Sequence, residues 1–498
     1  MSEITKLFKQ SSHYASSQIL LVIAGFISFP ILTRAFSVSD YGILSLVTTS
    51  IFIIMPFTKL GMQHSSIRYY EECKSGKRKE STSHFYSTLF FGSIVLTILM
   101  LTLLWLILQF IPSTLIHPRI ASFVIFVAIL VFLRSVQGIL KVFYRTEQKS
   151  VSWSIIEVIQ RYGTLALGLF FLFFVLKSLY GYYIGMVVAD SLVLLFLLYT
   201  FFHKADVHWK YISVNFFKES VKYALPLVGV EISAILITFA DRYLIQYLLG
   251  LEPLGIYSAC NNMIRYVSLI VLLPVNLALL PICMNIWVNK GKQQTSEFLT
   301  KTLRYFCLVA FPISLGFIAT GKDLIVLLAS EKYVESHVII PYVIIGKMLL
   351  ASCNIFNVAW FLYKKTSIYA ILTFISFLCN LILNIVLIQG YGILGAAYAT
   401  LITYILLFTL ISYFSFKYLS FKIDYSHIAL YLTFSVIMYM VIKNIGSINY
   451  LPFYLVLKVC LGIITYSSLV LIFDKTIRSH SKKYLNDIQA KALRRLPI

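Results

Sequence analysis

Long apolar runs, broken at near-regular intervals by clusters of charged and turn-forming residues, dominate this chain of 498 residues. A helix needs roughly 20 apolar residues to cross the hydrocarbon core of a bilayer. Runs of that length fall at about 14 to 35, 41 to 62, 85 to 111, 120 to 143, 151 to 176 and 179 to 202. Others follow at about 222 to 249, 255 to 287, 303 to 321, 337 to 362, 367 to 388, 393 to 416, 426 to 446 and 450 to 473. The pattern predicts an all-α integral membrane protein of about 14 transmembrane helices. The first run is too long for a signal peptide and has no small-residue cleavage site, so it reads as a retained span.

A sequence repeat divides this series. Phe8-Lys9-Gln10-Ser11-Ser12-His13-Tyr14-Ala15 precedes the first span, and Phe217-Lys218-Glu219-Ser220-Val221-Lys222-Tyr223-Ala224 precedes the seventh, with five of eight pairs identical. After the following helix, Tyr41-Gly42-Ile43-Leu44-Ser45 aligns with Leu254-Gly255-Ile256-Tyr257-Ser258, the offset moving only from 209 to 213. Six spans lie between the copies, so both have the same orientation, as expected for parallel repeats with a site between the halves. The expected organisation is an N-terminal six-helix lobe (1–212), a second six-helix lobe (213–420), two further helices (421–474) and a basic cytoplasmic tail (475–498). Tyr180-Gly181 and Tyr391-Gly392 repeat a turn signature in each half. The longest stretch outside the spans, Gln63 to His84, leaves no room for a soluble domain.

Composition agrees: 59% of residues are hydrophobic and 12% charged, against roughly 25% charged in soluble domains. The net charge of +22 would suggest nucleic acid in a soluble protein, but here it first reports orientation. With the N-terminus inside, 29 of the 42 basic residues lie in cytoplasmic loops and span edges, six in outer loops and seven within spans. Nucleic-acid binding is thereby excluded, and both termini are expected in the cytoplasm. The seven cysteines show no CxxC spacing and imply neither disulfides nor zinc. No HExxH, Walker A or dinucleotide fingerprint is present, so no enzyme, metal site or cofactor is expected.

Ionisable residues inside spans cost roughly 2.5 to 3.5 kcal/mol each on insertion scales and are functional candidates by default. They are Lys59, Arg134, Arg161, Arg242, Arg265, Lys347 and Lys458 against Glu157, Asp190, Glu231 and Asp241, an excess of three cations. An unpaired buried cation favours an anionic cargo. Arg134, Gln137, Lys141 and Arg145 share one face of span four. Glu157 and Arg161, four apart, are expected to pair, whereas Lys59 and Lys458, near span ends, are expected to snorkel. Asp190, Glu231 and Asp241 are candidates to couple transport to H+ or Na+, the alternative being helix-to-helix hydrogen bonds. Pro30, Pro56, Pro226, Pro274, Pro281, Pro312 and Pro341 interrupt spans and can kink them.

Several of these stretches resemble the Wzx-type polysaccharide flippases of the multidrug/oligosaccharidyl-lipid/polysaccharide exporter superfamily. They are Leu32-Thr33-Arg34 with Asp40-Tyr41-Gly42-Ile43-Leu44-Ser45, Leu60-Gly61-Met62 with Ser65, Ser66 and Arg68, Leu225-Pro226-Leu227, Asp241-Arg242-Tyr243-Leu244-Ile245, Leu254-Gly255-Ile256-Tyr257-Ser258 and Tyr391-Gly392-Ile393-Leu394-Gly395-Ala396-Ala397. The resemblance implies two six-helix lobes plus two C-terminal helices in a bacterial cytoplasmic membrane. It implies a cargo of undecaprenyl-diphosphate-linked oligosaccharide moved to the outer leaflet by alternating access for O-antigen or capsule-like polysaccharide, with a polymerase and chain-length regulator as partners. Arg34, Arg68, Asp241 and Arg242 match family positions at which the arginines are proposed to engage diphosphate or acidic sugar. Arg134, Arg161, Arg265 and Lys347 join them on depth alone. A flippase for lipid II or teichoic-acid precursors, a drug exporter and a membrane polysaccharide polymerase are the alternatives. The basic intramembrane excess argues against a cationic drug, and the short outer loops argue against a polymerase.

Overall fold

A computed structural model describes residues 3–110, 112, 117–363, 365–446 and 450–479. The basic tail from 480 onward and the side chains of Pro226, Leu227 and Pro274 therefore lie outside the described residues. The chain is helical: α1 (Glu3–Ala35), α2 (Val38–Lys59), α3 (Met62–Lys74), α4 (Thr82–Phe110), the single turn α5 (Pro118–Ala121), α6 (Val124–Thr146), α7 (Ser150–Phe170), α8 (Leu179–Lys204), α9 (Val214–Phe239), α10 (Asp241–Leu249), α11 (Leu251–Leu328), α12 (Ile340–Leu362), α13 (Thr366–Phe416), α14 (Tyr425–Lys443) and α15 (Leu451–Phe473). Among the described residues, twelve helical stretches are long and apolar enough to cross a membrane. Two of these turn back on themselves, α11 at Gly291 and α13 at Gly392, both with positive φ. Counting each as two crossings gives fourteen.

Polar caps fix where the helices begin. Ser37 accepts the Asp40 N–H at the start of α2, and Ser178 and Ser213 do the same for α8 and α9, satisfying backbone donors that would otherwise be orphaned. Outward faces carry bare apolar side chains, as on α4 with Val95, Ile98, Leu99, Leu103 and Trp105, which is how lipid-facing helices differ from soluble ones. Inside, hydroxyls and amides join helices: Thr58 to Ser135 at 2.6 Å and Asn380 to Thr403 at 3.0 Å. Pro341 falls in the first turn of α12 and kinks nothing, because a missing N–H costs nothing there.

Two departures from the sequence-based map matter for the site. The stretch after span two is not a loop: past a left-handed break at Leu60 and Gly61, the chain resumes as α3. The break lets α3 lean on α9, where Ser65 Oγ donates to the Ser220 carbonyl at 2.7 Å. Lys458 does not snorkel; its ammonium lies 2.8 Å from the Asp323 carboxylate and 3.9 Å from the Tyr454 ring centre, pinning α15 to α11.

Two of the repeated sequence positions meet reciprocally. A Cβ at Gly42 would stand 2.4 Å from the Leu251 carbonyl oxygen, and one at Gly255 would stand 2.0 Å from that of Val38. Leu251 is the repeat equivalent of Val38, as Gly255 is of Gly42. Each half therefore supplies one glycine and one carbonyl to the same seam between α2 and α11, at the face of the molecule opposite the N-terminus. We call the N-terminal side the basic face, since it carries the basic loops.

Candidate functional site

Between α1, α2, α6, α7 and α11 lies a cavity of about 600 Å³ lined by Lys59, Arg134, Lys141, Arg161 and Arg265, with Glu157 as its lining carboxylate. Arg134, Arg161 and Arg265, singled out from depth in the sequence, are thus brought together. Lys59 joins them. It lies across Gly138, where a Cβ would be 2.8 Å from its Nζ, so only a glycine leaves it this path. The expectation that Lys59, near the end of span two at residue 62, would snorkel is not met: the chain continues past Lys59 into α3 and the lysine lines the cavity instead.

One wall is a hydrogen-bonded network. Arg134 Nε donates to Asp190 Oδ2 at 2.8 Å, and Gln160 Nε2 donates to Asp190 Oδ1 at 2.7 Å. Gln137 Nε2 donates to the Asp190 backbone oxygen at 2.5 Å, and its own Oε1 accepts from Gln160. Lys141 Nζ donates to Gln160 Oε1 at 2.8 Å and pairs with Glu157 at 2.7 Å. The expected Glu157–Arg161 pair does not form. Glu157 turns across to α6, because Lys141 offers a partner in a drier setting than the next turn of its own helix. Arg145, at the end of the α6 stripe, lies 5.9 Å from the Tyr14 ring centre. Gln160 was missed by sequence reasoning; its signal was its polarity inside a span, one turn from Glu157.

Two of the five cations are neutralised by this wall. Lys59, Arg161 and Arg265 have no carboxylate within 4.0 Å among the described residues, and Arg265 Nε is buried without a hydrogen-bond partner.

The remaining sequence candidates lie elsewhere. Arg34 donates to the carbonyls of Leu328, at 2.8 Å, and of Leu327, capping the C-terminus of the second α11 limb where a cation is favoured. Arg68, on α3, pairs with Glu72 at 3.7 Å on the exposed basic face. Arg242 is buried at the seam, Nη1 donating to Thr49 Oγ1 at 2.9 Å, while Asp241 accepts from Tyr257 at 2.5 Å. Asp241 Oδ1 and Arg242 Nε have no partner among the described residues. Lys347 reaches the Tyr404 hydroxyl at 3.4 Å, and Glu231 accepts from Gln63 at 3.0 Å. No cluster of three metal-ligating side chains occurs among the described residues. A second cavity, about 660 Å³ between α11, α12, α13 and α14, is lined mainly by apolar residues such as Leu303, Phe306, Phe311, Met348 and Phe408 and contains none of the charged candidates.

Comparison with known proteins places this geometry. A family model described as polysaccharide biosynthesis protein matches residues 7–287, a segment containing every residue that lines the basic cavity. The probable low-salt glycan biosynthesis flippase Agl15 of Haloferax volcanii is 27% identical over 194 residues, which span 38% of this chain and 40% of that relative. Among solved structures, the lipid II flippase MurJ in an inward closed conformation superposes with a TM-score of 0.76 at 16% identity, over 93% of this chain and 99% of that one. An inward-facing MATE multidrug transporter of the MOP superfamily gives 0.62 at 13% identity, over 80% and 93%. These structures share the fold. With more than half its length matched by the family model, the chain belongs to the polysaccharide biosynthesis protein family.

Proposed function

We propose that the protein flips a polyprenyl-diphosphate-linked oligosaccharide, an undecaprenyl-linked repeat unit of an O-antigen or capsule-like polysaccharide, from the cytoplasmic to the outer leaflet. The observation that carries this reading is the cavity holding Lys59, Arg161 and Arg265 with no carboxylate in salt-bridge range among the described residues. Cations held in a partly desolvated space bind phosphate strongly, and arginine does so through paired N–H donors. The diphosphate would engage these three side chains, the sugars would occupy the cavity, and the polyprenyl chain would stay in lipid. Positive-inside asymmetry supports a cytoplasmic basic face. The translocated unit would pass to a polymerase and its chain-length regulator. Where an ion drives the cycle, Asp241, with one unpartnered oxygen, is a better H+ or Na+ site than the doubly bonded Asp190.

A lipid II precursor flippase is the second reading, favoured by the fold shared with MurJ. A drug exporter is disfavoured, since this cavity repels cations.

Arg161→Ala and Arg265→Ala in the native host test the proposal. At unchanged protein abundance, each should abolish the surface glycan and leave its lipid-linked precursor in the cytoplasmic leaflet. Normal surface glycan in both variants would overturn the assignment, and loss of cell-wall synthesis with intact surface glycan would favour the lipid II reading.

A further inference from the structure

We propose that the segment Glu331–Ile339, between α11 and α12, is a lid over the exit on the face opposite the basic one, and that Tyr333 latches it shut.

The segment leaves α11 through Ser330 and runs as a 3-10 helix directly into α12. Three residues per turn set every third side chain on one face. Tyr333, Ser336 and Ile339 are buried accordingly, while Glu331, Lys332 and Glu335 are exposed. The buried face reaches the other half of the molecule. The fully buried Tyr333 ring meets Tyr41 of α2 edge to face, centres 5.8 Å apart, and its hydroxyl lies 3.5 Å from the Thr33 carbonyl oxygen of α1. Tyr41 is itself bonded to Asn262 on the first limb of α11, and Ser336 meets the Cys260 thiol on the same limb. Just before the segment, Arg34 of α1 grips the Leu327 and Leu328 carbonyls. Any cargo leaving between the halves on this side requires Tyr333 to be drawn away from Thr33 and Tyr41.

Two features make the closed lid easy to displace. Runs of 3-10 helix longer than three or four residues are uncommon because their hydrogen bonds are poorly aligned, and this one has nine residues. Ser330, where it begins, has φ 117° and ψ 170°, a region essentially restricted to glycine and held by other residues only where the surroundings enforce it. Its hydroxyl oxygen is also buried without a hydrogen-bond partner among the described residues. Burial of the Tyr333 ring opposes that strain. The lid is thus strained at its hinge and held at its latch, as a two-state element requires.

The test adds a membrane-impermeant maleimide to the outside of right-side-out vesicles containing the full chain and follows Cys260 by peptide mass spectrometry. Cys353, buried further along α12, is the control. Tyr333→Ala should speed Cys260 labelling at least about tenfold while Cys353 stays protected. Ser330→Gly, which takes the same backbone without strain, should slow Cys260 labelling about fivefold. In the host it should also slow export of the surface glycan with no loss of protein abundance, an effect that a merely structural role would not produce. A Tyr333→Ala protein that has lost its fold labels both cysteines, and the Ser330→Gly rate then decides. Cys260 labelling unchanged by Ser330→Gly overturns the lid. Slower labelling with export at full rate also overturns it, because the segment is then a fixed cover. Only the export arm depends on the cargo proposed above, so failure of that reading leaves the labelling result standing.

Discussion

Asp190 is fully buried, and both its carboxylate oxygens are in use, one by Arg134 and one by Gln160. Such a carboxylate fixes a guanidinium in place. Removing one partner of a buried ion pair leaves a bare charge and costs about 3 to 5 kcal/mol, whereas replacing both with apolar groups of similar size is often neutral. Asp190→Ala should therefore lower the thermal unfolding midpoint of the detergent-solubilised protein sharply. The double change Asp190→Leu with Arg134→Met should recover most of the loss without restoring glycan export. Recovery of export as well would show that the pair serves only the bundle. Sequence reasoning found Arg134 and Asp190 but not their union, since 56 residues separate them and no periodicity links different helices. It paired Glu157 with Arg161 by the i,i+4 rule, and tertiary competition from Lys141 won.

At the scale of elements, glycine decides how closely α2 and α11 approach. Neither Gly42 nor Gly255 leaves room for a methyl group against the facing carbonyl. Gly42→Ala or Gly255→Ala should prise this seam apart. A cysteine at Asn262, whose amide now bonds the Tyr41 hydroxyl at 2.9 Å, should then react faster with a membrane-impermeant thiol reagent added from outside. Unchanged labelling would mean the helices absorb the methyl by a small shift. At this scale much was legible in advance, because each span announces itself by twenty apolar residues and each Gly turn by its residue type. The path of α3 was not, since its mean character is polar and only the left-handed pair Leu60–Gly61 turns it onto α9.

In the whole molecule, the halves meet at both faces. Opposite the basic face they close through Gly42, Gly255 and Arg34; at the basic face α3 reaches α9 through Arg78. Its guanidinium holds Glu72 at 2.9 Å and Glu219 at 2.5 Å while lying 4.5 Å from the Tyr69 ring centre. The Arg78 hydrogen bonds outweigh the opposing effect of burial and hold the Glu219 carboxyl below its ordinary value, so the contact is intact at neutral pH. Arg78→Ala should loosen this closure, and faster protease cleavage between residues 74 and 82 on inside-out vesicles would report it. The C-terminal helices are tied by Asp474. Burial would raise its carboxyl, but hydrogen bonds from Tyr431 and Arg304 overcome that and bring it down to about 2. A carboxyl lowered from about 3.9 in the unfolded chain stabilises fully above that value and loses its effect as pH falls toward 2. The destabilisation caused by Asp474→Asn should thus be complete at neutral pH and vanish in strong acid, as thermal melts across that range would report.

The reciprocal glycine contact carries one more consequence. Gly42 rests on Leu251 while its counterpart Gly255 rests on Val38, the counterpart of Leu251. Residue i touching j while j's equivalent touches i's is the signature of a twofold, isologous dimer interface. Such a reciprocal seam holds two separate pieces as well as one, so a chain severed between residues 212 and 213 should reassemble through it when both pieces are made in one cell.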